Sequence, residues 1–231
     1  MKKVTFYLLL LGSITFQRCD TGKTTGKEAE ESKLDSKSNL HASVDIENTA
    51  SSLDAEWISL FNGKDLDNWT VRGKAEWSVV DGVLVGEGGM GHIYGGPELT
   101  DLEVKGEFRL SDQGGGANSG LYFRANEPAD NPDGFPPGYE AQICHNQEAH
   151  TGWLWKPGSP TGKASALLTK DDEWFSYRVK AEGILIQFWV NNQLVMTYED
   201  DEYKSGRFAI QGHNKGMKIE ARKLYYRDLS K

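Results

Sequence analysis

The chain has 231 residues, 26 Gly against 7 Pro, 11% aromatic side chains and a formal net charge of -8. That length holds one medium domain plus an appendage, and a Gly-rich, aromatic-rich composition points to turn-rich β structure rather than helix. With no Lys/Arg cluster interleaved with aromatics, nucleic acid is excluded as a partner; two cysteines, Cys19 and Cys144, exclude a disulfide framework.

Residues 1–19 read as a signal peptide of lipoprotein type. Lys2 and Lys3 precede an apolar run, Val4 to Ile14, that is too short to span a bilayer with ease. Cys19 stands where a bacterial lipoprotein is cleaved and acylated, although Arg18 departs from the small residue usual before it. The expectation is an exported protein, periplasmic or a cell-surface lipoprotein, touching the membrane only through the lipid on Cys19. Residues 20–55 hold no Phe, Trp or Tyr and are crowded with Ser, Thr, Lys, Glu and Asp. Such a segment cannot bury enough apolar surface to offset its ordering entropy, so it is predicted to be a disordered tether.

The folded domain is predicted over 56–231. Trp57 to Phe61 ends in the turn signal Asn62-Gly63. Trp77 to Val80 and Val83 to Val85 flank Asp81-Gly82, a hairpin with a two-residue turn. Leu102, Val104, Gly106, Phe108 and Leu110 alternate with polar residues as one strand. Tyr177 to Ala181, Ile184 to Val190 and Leu194 to Tyr198 form a meander turned at Glu182-Gly183 and Asn191-Asn192, and Ile219 to Tyr226 supplies a last strand. Many short strands without a 3.6-residue period imply an all-β antiparallel jelly-roll sandwich. Two long connections, 126–138 with four prolines and 146–170, are expected at a binding rim.

Three further segments carry polar side chains that a purely structural strand would lack. Side chains alternate faces along a strand. Leu121 and Phe123 therefore oppose Tyr122 and Arg124; Tyr139, Ala141 and Ile143 oppose Glu140, Gln142 and Cys144; Phe208 and Ile210 oppose Ala209, Gln211 and His213. If the strands share a sheet, one face gathers Arg, Glu, two Gln, Tyr and His, a set suited to a polyhydroxylated ligand. The glycine runs 86–91 and 114–120 lack the following helix that a phosphate cradle needs and read as turns. Glu140 has a neutral neighbour, Gln142, where a retaining glycosidase would place a second acid; Asp171, Asp172 and Glu173 could supply one only by elimination. His145 and His213 are candidates for the cleft, whereas His92 and His150 fall in Gly-rich or loop contexts. Trp153 and Trp155 either stack on a sugar face or plug the end of the sandwich.

Leu60-Phe-Asn-Gly-Lys-Asp-Leu66 with Trp69, Trp77 with Asp81-Gly-Val-Leu84, Asn118-Ser-Gly-Leu-Tyr-Phe-Arg124, Gly138-Tyr-Glu-Ala-Gln-Ile143, Thr151-Gly152, Glu173-Trp174 and Ile210-Gln-Gly-His213, in that order, resemble the 3-keto-disaccharide hydrolase domain family. The resemblance runs from about Trp57 to the C-terminus. It implies a concanavalin-like (laminin-G-like) jelly roll, export, and action on 3-keto glycosides as a hydrolase, or as a 1,2-lyase with glucal hydratase activity. Cys144 departs from the acidic or polar residue frequent after Gln-Ile in that family. A ketone at C3 acidifies the proton on C2, so one base, one leaving-group acid and one stabiliser of the enolate oxygen suffice. The expected assignment is Glu140 and His145 as base and acid and Arg124 as oxyanion partner. Asn118, Tyr122, Gln142, Trp153, Trp155, Gln211 and His213 then bind substrate. Glu140, His145 and His213 are the candidate ligands of a divalent metal ion. The alternative is a non-catalytic laminin-G or lectin-like carbohydrate-binding module; an ordinary glycoside hydrolase is a third reading.

Overall fold

The turn signals close hairpins where the sequence places them. In the computed structural model, which describes residues 55–131 and 134–230, Asp81 and Gly82 take φ of 50° and 80°, and Asn191 and Asn192 take 50° and 63°. Left-handed values at both central residues define the turn whose twist matches that of paired strands. The leader, Cys19 and the tether to residue 54 lie outside the described residues.

Fifteen strands follow in chain order among the described residues. They are β1 (Ile58–Ser59), β2 (Thr70–Gly73), β3 (Glu76–Val80), β4 (Val83–Glu87) and β5 (Gly91–Leu99). Next come β6 (Leu102–Asp112), β7 (Asn118–Ala125), β8 (Tyr139–Cys144), β9 (Leu154–Lys156) and β10 (Ser159–Gly162). The chain closes with β11 (Phe175–Glu182), β12 (Leu185–Val190), β13 (Gln193–Glu199), β14 (Gly206–Gly212) and β15 (Met217–Asp228). One sheet has the order β13-β12-β11-β6-β15-β4-β3, with β1 also paired to β15; the other runs β10-β9-β8-β7-β14-β5-β2. The ladders are antiparallel. No helix of the described residues is long and apolar enough to cross a membrane.

The alternation read from the sequence decides what lies between the sheets. Leu121, Phe123, Tyr139, Ala141, Ile143, Phe208 and Ile210 from the second sheet meet Val104, Phe108, Tyr177, Val179, Ile186, Phe188 and Ile219 from the first. Each large apolar side chain buried there stabilises the fold by about 1.5–3 kcal/mol. The opposite face of the second sheet is not plain solvent surface. A second buried cluster, Tyr94, Tyr122, Ala125 and Ala209, forms on it, and the polar side chains of β7, β8 and β14 surround that cluster.

Two features differ from the sequence reading. The glycine run 86–91 turns directly into β5, whose Gly-His-Ile-Tyr-Gly-Gly-Pro pattern hides a nine-residue strand. The connection 146–170 is interrupted by the short hairpin β9–β10.

Candidate active site

Cross-strand register assembles the polar face. Tyr122 on β7 lies opposite Glu140 on β8, and Glu140 lies opposite Trp155 on β9. On the other side Tyr122 pairs with Ala209 of β14, which sets Gln211 two residues along the same face and directly opposite His92 of β5. Asn118, Tyr122, Glu140, Gln142, Trp155, Gln211 and His213 line one cleft, with Phe135 from the 126–138 connection and Lys156 at its margins. Phe135 sits 6.5 Å from the His213 ring, centre to centre, and the Lys156 ammonium is held by Asp200 (2.9 Å) and Glu202 (2.7 Å).

The segment Asn118-Ser-Gly has a distinct job at each position. Asn118 lines the cleft. Ser119 donates its hydroxyl to the Gln211 carbonyl at 2.7 Å, tying β7 to β14 under the site. Gly120 leaves the space that the Glu140 carboxyl fills: a Cβ there would lie 2.1 Å from Oε1. Any larger residue would displace the acid.

Glu140 is the one carboxyl among the described residues lining the cleft. The Tyr122 hydroxyl donates to its Oε2 at 2.8 Å. With the Gln142 amide turned so that its nitrogen faces the acid, that nitrogen donates to Oε1 at 3.2 Å and to the Ser119 carbonyl at 3.0 Å. Burial disfavours the charged form and pushes the Glu140 pKa up to about 8, the Tyr122 hydrogen bond pulling partly the other way. At neutral pH most of Glu140 is therefore a carboxylic acid. Burial first, and the neighbouring Glu140 second, raise the Tyr122 phenol well above its usual value, so it remains a hydroxyl donor.

A second tier lies behind this pair. Gln211 Nε2 donates to the Tyr122 hydroxyl at 3.1 Å and approaches His92 Nε2 at 3.4 Å. His92 is fully buried, its ring edge-on to Tyr122 with centroids 5.2 Å apart. Burial, with a smaller contribution from His213, lowers its pKa to about 4 and keeps it neutral. Gln211 Oε1 and His92 Nδ1 are buried without a hydrogen-bond partner.

Not every expected residue reaches the cleft. Arg124, expected as oxyanion partner, is removed by a β-bulge: Tyr122 pairs with Ala209 and Ala125 with Arg207, so Phe123 and Arg124 together face Phe208. Arg124 takes φ 47°, and its guanidinium donates to the carbonyls of Thr100, Tyr203 and Gly183 and to Asp101. That is a scaffold contact away from the site. His145, expected as acid or base, follows β8 on the core-side parity of Tyr139 and Ile143. Its ring lies edge-on to Phe175 at 6.2 Å, neither nitrogen has a partner, and burial lowers its pKa. Trp153, expected as a sugar platform, is buried beside His150 (6.2 Å) and Lys163 (5.2 Å) and does not line the cleft. Leu154 enters the core and Trp155 turns back to the cleft, as alternation requires.

With His145 apart, the three expected metal candidates do not converge. Among the described residues no group of three or more His, Cys, Asp or Glu is placed to hold a metal ion. Asp171 and Asp172, the candidates for a second acid, bind the Asp112 amide and the Ser111 hydroxyl at the end of β6. His92 is the site residue that sequence reasoning set aside, because β5 shows no alternation to mark it as a strand.

The family described as the 3-keto-alpha-glucoside-1,2-lyase-like domain matches residues 56–230. A candidate glycosyl hydrolase from Parabacteroides distasonis superimposes with a TM-score of 0.61 at 19% identity, covering 79% of this chain and 96% of that one. The carbohydrate-binding module CBM66 from Bacillus subtilis gives 0.57 at 16% identity, over 71% and 98%. The β-glucanase of Bacillus licheniformis gives 0.54 at 11% identity, over 75% and 97%. These likenesses establish the jelly-roll fold. No curated protein matches the sequence.

Proposed function

The chain belongs to the 3-keto-alpha-glucoside-1,2-lyase-like domain family, and on that premise we propose that it is an exported enzyme cleaving 3-keto glycosides by 1,2-elimination followed by hydration. The observation that carries the reading is a single buried carboxylic acid, Glu140, set among amides and phenol in a cleft whose described lining residues include no second acid. Two-carboxylate glycoside hydrolysis needs a pair about 5–9.5 Å apart. Elimination next to a ketone needs one group that gives and takes a proton.

In this reading the C2 proton, acidified by the C3 ketone, leaves to a base, and the electron pair forms the C1=C2 bond as the C1–O bond breaks. The aglycone oxygen takes a proton and departs as an alcohol. Water then adds at C1 and a proton returns to C2, giving the free 3-keto sugar. Glu140, with a pKa near the working pH, suits proton transfer in either direction. His213 is the one histidine among the described residues lining the cleft and takes the role first expected of His145. Asn118, Gln142 and Gln211 bind the sugar hydroxyls, and Trp155 supplies a stacking face. Export through the leader, with a lipid on Cys19, completes the proposal.

A carbohydrate-binding module on the same fold is the competing reading. An acid that can both give and take a proton near neutral pH serves catalysis more directly than binding, which favours the enzyme. The test is incubation of the purified protein with a 3-keto-glucoside and with its unoxidised parent in deuterated water. Aglycone release from the keto substrate alone, with deuterium at C2 and a loss of at least about 100-fold in Glu140→Gln, is expected. Binding of both sugars without release would overturn the proposal.

A further inference from the structure

The hydrogen bonds behind Glu140 form a directed chain whose far end is His92. An amide nitrogen only donates, so with Gln211 Nε2 facing the ring at 3.4 Å the matching tautomer accepts at Nε2 and carries its proton on Nδ1. Gln211 then has one N–H for His92 and one for the Tyr122 hydroxyl at 3.1 Å. With an oxygen lone pair of Tyr122 so engaged, its single O–H is left for Glu140 at 2.8 Å.

The amide has a second possible orientation. Turned over, Gln211 would present Oε1 to Tyr122, which would give its only proton to Gln211 and leave Glu140 Oε2 without a donor, Gln142 still donating to Oε1. Oε1 has no partner where it now lies, so the amide oxygen does not hold the present orientation. Of the groups that Gln211 touches, His92 Nε2 as an acceptor is what favours the nitrogen inward.

We infer that His92, acting through Gln211, is a positioning residue that keeps Tyr122 donating to Glu140, so that Glu140 can release and recover its proton inside the cleft. The inference rests on the reading of Glu140 as the proton-transferring group. It deepens that reading by naming what sets the proton's position.

The surroundings of His92 preserve its accepting state. Arg72 lies opposite it on β2 but is bound to Glu127 at 2.7 Å. Tyr94, two residues along β5, and Tyr122 on β7 present rings rather than charges. His213, just after β14, opposes a positive charge on His92 electrostatically, and Glu140 is separated from it by Tyr122 and Gln211. A protonated His92 would turn Nε2 into a donor and favour the other amide orientation.

The experiment follows the carboxyl carbon of Glu140 by NMR titration in the full chain, its signal assigned with Glu140→Gln. Turnover of a 3-keto-glucoside is measured alongside. His92→Phe keeps an aromatic ring against Tyr122 and removes the acceptor. The expected result is a Glu140 midpoint raised by at least about half a pH unit, since the carboxylate loses support, with kcat lowered about tenfold and KM within about twofold. His92→Gln, which restores an acceptor oxygen near the place of Nε2, returns the midpoint toward wild type. An unchanged midpoint in His92→Phe, or equal shifts in the Phe and Gln variants, overturns the inference. Should His92→Phe not fold, Gln211→Met removes the donor to Tyr122 directly and must raise the midpoint in the same way; no shift there also overturns it. The titration needs no substrate. A shifted midpoint in a protein that turns over no 3-keto sugar would sink the proposed reaction and leave the positioning chain standing.

Discussion

Replacing Glu140 by Gln should remove one pH-dependent contribution to stability, in the window set by the shift of its carboxyl. The raised pKa means that the folded protein keeps a proton on Glu140 that the unfolded chain has lost from about pH 4.5 upward. Its contribution is complete below the unfolded value, falls as pH rises, and is gone above the folded value of about 8. His92 acts in the opposite sense: its lowered pKa contributes stability that is present above pH 6.5 and lost as pH falls toward about 4. Between pH 6.5 and 8, Glu140 titrates with His92 silent. At about 1.4 kcal/mol per pH unit over 1.5 units, the wild type should lose about 2 kcal/mol across that window relative to the Gln variant. Urea denaturation of both proteins at pH 6.5, 7.2 and 8 measures the difference, and subtraction removes every other titrating group. Gln is nearly the shape of the neutral acid, so the two should be of similar stability at pH 6.5. Curves that stay parallel to within about 0.5 kcal/mol would refute the claim that Glu140 is buried as a neutral acid.

Gly120→Ala puts a methyl 2.1 Å from Glu140 Oε1; a loss of about 1–3 kcal/mol and at least a tenfold drop in turnover are expected in urea titrations and rate assays. Arg124→Met removes the donor to three backbone carbonyls and Asp101; stability should fall by about 2–3 kcal/mol while KM of the folded protein is unchanged, and a raised KM at unchanged stability would return Arg124 to the site. His145→Phe replaces a ring whose two nitrogens are buried without partners; a melting temperature equal to or above wild type, with wild-type turnover, is expected from calorimetry and rate assays.

The sandwich was legible because the signals that specify it are local. Asp81-Gly82 and Asn191-Asn192 demand left-handed turns, and the strands leading into them, β3 and β12, alternate over their five and six residues. The polar face was legible for the same reason, and Tyr122, Glu140, Gln142 and Gln211 lie together where period two puts them. The misplacements have physical causes that alternation does not encode. A bulge adds one residue to β7 at Phe123–Arg124 and turns Arg124 out of step. His145 stands out in the sequence by following the polar strand directly, whereas its odd offset of five residues from Glu140 puts it on the other face. β5 was invisible because Gly91, Gly95, Gly96 and Pro97 interrupt the pattern that would have revealed His92. Register between distant strands, which brings His92 opposite Gln211, exists only once the sheet has formed.

Removing Arg124 from the cleft changes the electrostatic problem that the site has to solve. In the proposed reaction, negative charge developing on a C3 oxygen would meet no guanidinium among the described residues lining the cleft, and Lys156 at the margin already carries Asp200 and Glu202. A neutral carboxylic acid answers this differently from a cation: it cancels the charge by proton transfer instead of balancing it across space. Proton transfer works best when donor and acceptor pKa values are close, and a value of about 8 for Glu140 lies far nearer to that of an enol than an exposed carboxyl does. The burial that makes Glu140 a poor carboxylate thus makes it a suitable acid for an enolate. Gln142 directly, and Gln211 through Tyr122, hold it in place without adding the charge that would pull its pKa back down. This accounts for amides rather than lysines or arginines on the face of the sheet nearest Glu140.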